Sequence, residues 1–151
     1  MPVPVWTDKL SVGLEGLDDD HKRLLEIIAS LESGEDAAAV ETALRALMRY
    51  AQLHFAREQA VMRRCGFPGL AGHIESHGAF KEKLKAEIDR FEANPAANTA
   101  ATREALIAFL GDWWKRHISQ DDRAYKPFIE QDKALAANAL EQVRGAHVLF
   151  D

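Results

Sequence analysis

Apolar side chains recur at helical spacing along most of the chain and predict long amphipathic helices. The first helical pattern begins near Asp18, which we expect to cap it, and ends at Gly34. The second pattern runs over about 35–65, where the inward positions repeat in alternating steps of three and four residues, as in a heptad seam. The third pattern begins at Leu70 and is followed by 94–98, which we predict to be a loop.

A fourth helical pattern follows that loop and continues to His117. Thr99 or Thr102 would cap it, because either hydroxyl can accept a hydrogen bond from a free backbone N–H at a helix start. Pro127 then interrupts the pattern, since proline cannot donate to the helical ladder. A short fifth helix is predicted over about 128–144.

Long helices joined by short loops predict an all-α fold, an antiparallel up-down-up-down four-helix bundle. Residues 1–16 contain several prolines and glycines and are predicted to form an extended arm, with Trp6 packed against the body. The four-helix core is expected over about 17–126. The C-terminal extension, about 127–151, would carry the short extra helix, and the whole chain, 1–151, is predicted to be one domain.

Composition and charge exclude several classes of partner. Hydrophobic residues make up 47% of the 151 residues and charged residues 28%, as in ordinary globular proteins. The formal net charge of −5 favours neither nucleic acid nor an anionic membrane as a partner. The first residues lack the features of a signal peptide, and no apolar run is long enough to span a bilayer. With Cys65 as the single cysteine, no internal disulfide can form, and we predict a cytoplasmic location.

Five of the six histidines and one glutamate fall on the inward stripes of the predicted helices. Each helix contributes at least one of them: His21, then His54 and Glu58, then His73 and His77, then His117. The pairs four residues apart lie on one face of their helix. A single inward histidine is usually a satisfied core residue, but so polar a core needs a partner that all its members share. A metal centre supplies that partner.

The number of ligands favours two metal ions. A cysteine-rich zinc site is excluded, and calcium and magnesium prefer oxygen ligands. Asp121 or Asp122 would add a second carboxylate; the four-residue step from His117 favours Asp121, but the number of ligands does not choose between them. Five imidazoles, two bridging carboxylates and a bridging solvent oxygen leave one open position on a pair of octahedral ions. So imidazole-rich a set suits reversible binding of a small ligand better than oxidation of a substrate.

Several motifs together make the chain resemble the bacterial hemerythrins. The matching segments, spread over roughly residues 5–128, are WTDKLSVG, LDDDHKRLL, HFAREQAVM, GFP, HIESH and HISQDDRAY. The resemblance implies a non-haem centre of two iron ions, bridged by oxide or hydroxide, in an antiparallel four-helix bundle. It also implies that dioxygen is the ligand and that it binds reversibly at the iron with fewer histidines.

The resemblance also implies a role for each ligand. One iron would take three histidines and the other two: His73, His77 and His117 on the first, and His21 and His54 on the second. Glu58 would bridge them. The family's fourth-helix motif has an aspartate five residues after the histidine and a tyrosine three residues further on, which selects Asp122 and Tyr125 here. A regular α-helix does not align His117 with Asp122, so this assignment predicts a wider, π-type turn between them.

Side chains near the predicted centre have two interpretations. Phe55, Trp113 and Ile118 are either ordinary core residues or the lining of a dry oxygen pocket. Trp114 stands where the family often has an aliphatic residue; it either narrows that pocket or points towards a neighbouring helix. Gln59 replaces an acid that is common in the family, and we expect it at the surface.

The leading functional prediction is a non-enzymatic oxygen binder for storage, delivery or sensing. One alternative is a di-iron enzyme on the same scaffold, such as an oxidase or a scavenger of peroxide or nitric oxide. A third is an iron-handling protein. The sequence carries no recognisable output domain, so a sensing role would need a separate protein partner.

Overall fold

The computed structural model of the chain describes residues 3–147, without the side chains of 144–147. This part of the chain has no strand, and its helices are α1 (Glu15–Ser33), α2 (Ala37–Arg64), α3 (Leu70–Ala93), α4 (Pro95–Trp113), α5 (Lys126–Gln131) and α6 (Lys133–His147). Between α4 and α5 the chain forms a π-helical segment (Trp114–Asp121) and a 3-10 turn (Asp122–Tyr125). Short connections join α1 to α4, which pack together as the predicted antiparallel four-helix bundle.

The first helix begins earlier than its sequence pattern predicts. It starts at Glu15, and Asp18 lies inside its first turn instead of capping it. The carboxylate of Asp18 accepts hydrogen bonds from the Ser11 hydroxyl (2.6 Å) and from the backbone N–H of Val12 (2.9 Å). Asp18 therefore fastens the arm to the bundle.

The predicted loop over 94–98 is wrong, because α4 begins within it. Asn94 caps the helix: its side-chain oxygen accepts a hydrogen bond from the backbone N–H of Ala97 at 3.3 Å. Pro95 stands at the first helical position, where its missing N–H removes no hydrogen bond. Neither Thr99 nor Thr102 caps the helix. The predicted end of α1 at Gly34 is confirmed.

The C-terminal extension forms two helices where the sequence predicts one. α5 ends before Asp132, whose carboxylate accepts a 3.0 Å hydrogen bond from the backbone N–H of Leu135 and so caps α6. α6 then packs along α2. His147, the histidine outside the predicted centre, ends α6, and its side chain lies outside the described part of the chain.

Two hydrophobic clusters lie on either side of the bundle's middle. The larger cluster joins α1 to α4, with members such as Leu24, Leu31, Leu47, Phe80 and Leu106. The smaller cluster joins the arm, α1, α2, α5 and α6, with members such as Val12, Leu17, Met62, Ile129 and Ala136. Trp6 packs against the larger cluster, as predicted, and the Lys22 ammonium lies 5.0 Å from its ring centroid. Within residues 3–147, every helix is too short or too polar to cross a membrane.

Arg103 on α4 caps the C-terminal end of α1. Its Nε donates to the carbonyl of Leu31 at 2.7 Å, and its Nη2 donates to the carbonyl of Glu32 at 3.0 Å. These carbonyls belong to the last turn of α1, where no partner exists within the helix. We expect Arg103→Met to lower the free energy of unfolding by about 1–3 kcal/mol, measured by urea denaturation, because two charge-assisted hydrogen bonds are lost.

The matched control is Arg45→Met. Arg45 pairs with Glu41 at 2.9 Å on the exposed face of α2, and such pairs contribute less than about 0.5 kcal/mol. Equal losses in the two variants would show that Arg103 does not stabilise the end of α1.

Candidate metal centre

The structure brings together all the side chains that the sequence predicts as metal ligands. They lie in the middle of the bundle, and none is more than 6% exposed: His21, His54, Glu58, His73, His77, His117 and Asp122. Their ligand atoms form two sets, each within 4.8 Å. The three-histidine group is Glu58 with His73, His77 and His117. The two-histidine group is His21 and His54 with Glu58 and Asp122.

Glu58 presents one carboxylate oxygen to each group. Its Oε1 lies 2.7 Å from Nε2 of His73 and 2.9 Å from Nε2 of His77. Its Oε2 lies 3.2 Å from Nε2 of His54 and also accepts a 2.8 Å hydrogen bond from the Tyr125 hydroxyl. Tyr125 is 1% exposed, so this hydrogen bond fixes the orientation of the carboxylate from outside the ligand set.

Asp122 also faces both groups, from the 3-10 turn that follows the π-helical segment. Its Oδ1 lies 2.9 Å from Nε2 of His73 and 3.0 Å from Nε2 of His117. Its Oδ2 lies 3.0 Å from Nε2 of His21. Both carboxylates are therefore shared between the two groups of imidazoles.

A π-helical turn carries Asp122 to the face of His117. In the segment Trp114–Asp121 the helix widens, and the backbone N–H of Asp122 donates to the carbonyl of His117, five residues back. This confirms the predicted π-type turn. Asp121 lies outside the centre: it is 53% exposed, and its carboxylate is 3.5 Å from Nδ1 of His117. The two neighbouring aspartates thus face opposite nitrogens of one imidazole.

Side chains outside the ligand set contact the outer nitrogens of two histidines. Nδ1 of His54 lies 2.9 Å from a carboxylate oxygen of Asp20, whose other oxygen accepts a 3.0 Å hydrogen bond from Arg57. Nδ1 of His77 lies 2.8 Å from the side-chain amide of Gln59. Gln59, which we expected at the surface, is half-buried, and its amide contacts a histidine of the centre.

Sequence reasoning missed Asp20 and Gln59 because each is the direct neighbour of a ligand. Adjacent residues on a helix point about 100° apart, so Asp20 leaves the stripe of His21 and Gln59 leaves the stripe of Glu58. Whether such a residue reaches another histidine depends on how neighbouring helices are rotated, and no periodicity along one helix reports that. The nearest available signal is a polar residue with a side chain of suitable length beside each ligand.

Aromatic rings cover three of the imidazoles. Phe55 stacks on His77 with ring centroids 3.8 Å apart, and Trp113 stacks on His117 at 3.9 Å. Tyr50, which the sequence patterns did not single out, stacks on His54 at 4.9 Å. Because Tyr50 precedes His54 by four residues, helical spacing was the signal that could have found it.

The other two predicted pocket residues lie in the larger hydrophobic cluster. Ile118 is fully buried there. Trp114 is 4% exposed and lines a groove of about 490 Å³ with Ile28 of α1, Ile107 of α4 and Val3 of the arm. The structure thus places Trp114 against neighbouring elements, and places Phe55 and Trp113 against the histidines.

Burial and the two carboxylates set the protonation of this group. Burial opposes the charged form of His21, but the carboxylates of Asp122 and Glu58 outweigh it and raise the pKa of His21 to about 10. The same balance raises the pKa of His73 to about 9. For His77 burial prevails, despite the nearby Glu58, and the pKa falls to about 4. The histidines hold the pKa values of Glu58 and Asp122 below their usual range, against the effect of burial.

The donor set fits two metal ions. Both ring nitrogens of His21 and of His117 and both oxygens of Asp122 are buried, and within residues 3–147 none has a partner in hydrogen-bond geometry, although Nε2 of each histidine lies 3.0 Å from an Asp122 oxygen. Donor atoms bound at about 2.1 Å and at right angles around one ion lie roughly 3 Å apart, which is the spacing found between the carboxylate oxygens and the imidazole nitrogens. A pair of cations would satisfy Nε2 of both histidines and both oxygens of Asp122, with Glu58 and Asp122 shared between them.

These shifts predict how the stability of the metal-free protein depends on pH. Protonated His21 and His73 have raised pKa values in the folded state, so their stabilisation is complete below about pH 6.5 and is lost as the pH rises through about 9 and about 10. We expect the midpoint of thermal unfolding, measured by calorimetry, to fall between about pH 7 and about pH 10.

The metal-loaded protein is the control for this measurement. Metal ions replace the protons at these nitrogens, so its midpoint should change less over the same range. Identical midpoints for the metal-free protein at both pH values would contradict the assigned protonation.

Comparison with known proteins agrees with this geometry. A family model described as the hemerythrin HHE cation binding domain matches residues 12–129. A bacteriohemerythrin of Stenotrophomonas maltophilia is 30% identical over 128 residues, which cover 83% of this chain and 80% of the relative. A myohemerythrin of Riftia pachyptila is 33% identical over 128 residues, 83% of this chain and 94% of the relative. The chain therefore belongs to the hemerythrin family.

Proposed function

We propose that the protein binds dioxygen reversibly at two non-haem iron ions and acts as an oxygen store, carrier or sensor, not as an enzyme. The observation that carries the proposal is the pair of buried carboxylates, each of which faces both groups of imidazoles. Membership of the hemerythrin family supports it, because hemerythrins bind dioxygen at non-haem iron.

The two groups of ligands would hold one iron ion each. The three-histidine group offers five donors when both shared carboxylates are counted, and the two-histidine group offers four. The two-histidine group therefore leaves more room for a ligand from solution. When bound, a pair of ferrous ions supplies dioxygen with two electrons that can be returned.

The protein's own residues hold this centre in place and keep it dry. Asp20 and Gln59 fix the rings of His54 and His77 through their outer nitrogens, as outer partners of metal-bound histidines do. Burial raises the pKa of Tyr125 well above its ordinary value, so the hydroxyl stays protonated. This hydroxyl donates a hydrogen bond to Glu58. The stacked rings and the hydrophobic clusters exclude water, which would otherwise promote loss of the bound ligand.

The ligand set carries little negative charge, which favours an oxygen carrier over an oxidising enzyme. Two carboxylates and five neutral imidazoles neutralise less positive charge than the glutamate-rich sets of ferritin-like di-iron proteins. Highly oxidised iron is therefore stabilised less here, which favours return of the ligand over attack on a substrate. The alternatives remain an oxidase, a scavenger of peroxide or nitric oxide, and an iron-handling protein.

Visible absorption of the iron-loaded protein tests the proposal. We expect charge-transfer bands to appear when the reduced protein meets dioxygen and to vanish when oxygen is removed, over repeated cycles. Uptake should be about one dioxygen per two iron ions, in line with the two-electron chemistry. Continuous consumption of oxygen or peroxide would favour an enzyme, and a content of about one zinc ion per chain would exclude a di-iron centre.

Neighbouring aspartates provide a matched test of the ligand assignment. Asp122→Ala should lose most of the iron, because it removes a carboxylate that faces three imidazoles, whereas Asp121→Ala should keep nearly all of it. Iron per chain, measured by elemental analysis after reconstitution, decides between them. Equal iron content in the two variants would contradict the role given to Asp122, and circular dichroism would show that both remain folded.

A further inference from the structure

Tyr50 has a buried hydroxyl with nothing to bond in the part of the chain that the structure describes. Its ring lies nearly parallel to the His54 imidazole, at 15°, and its side chain is only 6% exposed. Buried tyrosine hydroxyls normally have hydrogen-bond partners, because removing the group from water without one is costly. An acceptor for the phenol hydrogen is therefore missing among residues 3–147.

Trp113 has the same deficit at its indole N–H. Nε1 is buried and likewise has no hydrogen-bond partner among residues 3–147, although its ring stacks on His117 at 14°. The indole lies within reach of the Tyr50 phenol. Even an indole N–H directed at the phenol oxygen would leave the phenol hydrogen without an acceptor.

The rings that carry these two donors lie beside the metal centre, and both contact Phe55. The Phe55 ring is 5.7 Å from the ring of Tyr50 and 5.8 Å from the ring of Trp113. Tyr50 stacks on a histidine of the two-histidine group, and Trp113 stacks on a histidine of the three-histidine group. The ring that carries the Tyr50 hydroxyl thus contacts the group that has fewer ligands, and the Trp113 ring contacts the other group.

We propose that Tyr50 is a positioning residue for the ligand that enters from solution. Its O–H, together with the N–H of Trp113, donates a hydrogen bond to an acceptor atom of a small ligand held beside the two-histidine group. The ligands favoured are dioxygen and small linear anions with terminal acceptor atoms. This inference rests on the proposed function, since it requires the centre to hold iron and admit such a ligand.

Azide is the probe for the test. Tyr50→Phe keeps the ring and its stacking but removes the hydroxyl. In the oxidised, iron-loaded protein we expect this variant to bind azide about 10-fold more weakly, as loss of one hydrogen bond to a charged acceptor predicts, when azide is titrated by visible absorption. The azide stretching band should shift between H₂O and D₂O in the unmodified protein, and this shift should become smaller in Tyr50→Phe.

Two further variants sharpen the result. Trp113→Phe removes the second donor and should also weaken azide binding. Trp6→Phe removes an indole N–H from the arm, outside the metal centre, and should leave azide affinity unchanged. Iron content and the spectrum without azide should be the same in all of these proteins, because none of the substituted groups is a metal ligand.

The outcomes separate this inference from the proposed function. Unchanged azide affinity and an unchanged solvent shift in Tyr50→Phe would overturn the role of Tyr50, while reversible oxygen binding by the unmodified protein would still stand. Loss of iron from Tyr50→Phe would also overturn it, since the tyrosine would then support the His54 ligand instead of the incoming molecule. An unmodified protein that takes up no iron would refute the proposed function itself.

Discussion

Two carboxylates, Glu58 and Asp122, lie fully buried at the centre of the bundle, and the rest of the structure must compensate their charge. A buried carboxylate without a positive partner is severely destabilising, so imidazoles have to surround it on every side. They come from α1, α2, α3 and the π-helical segment after α4, which fixes the rotation and the height of these elements relative to one another. Either protons or metal cations can occupy the space between the carboxylates and the nitrogens. Both can therefore compensate the negative charge of the two carboxylates.

Stability has to come from elsewhere, because a polar centre contributes little of the apolar burial that holds a small domain together. The larger hydrophobic cluster lies on one side of the centre, and the smaller one, closed by α5 and α6, lies on the other. α6 rests on α2, the helix that carries Glu58 and His54. The C-terminal extension therefore supports the helix with the shared carboxylate, although it contributes no ligand.

Sequence patterns predicted the bundle and the ligand set because both depend on helical periodicity. Side chains that recur every three or four residues share a face, so spacing alone placed His54 with Glu58 and His73 with His77. Cap positions could not be placed: Asn94, Thr99 and Thr102 are all acceptable caps, and only the proline after Asn94 favours the first. Gln59 and Asp20 depend on contacts between helices, which no single helix records. Asp122 was selected by family resemblance, while regular helix geometry favoured Asp121.

The π-helical turn has a consequence for the chain that follows it. Buried positions before the turn include Leu106 and Leu110, which face the larger hydrophobic cluster. Those after it, Tyr125 and Ile129, face the smaller cluster formed with the arm and α6. The extra residue in the wide turn shifts the phase of the helical pattern, so that Asp122 shares the inward face with His117 and the buried positions resume at Tyr125 and Ile129. Asp122 lies at the point of that shift, which makes the metal centre also the place where the chain turns from the bundle's own interior to its C-terminal cover.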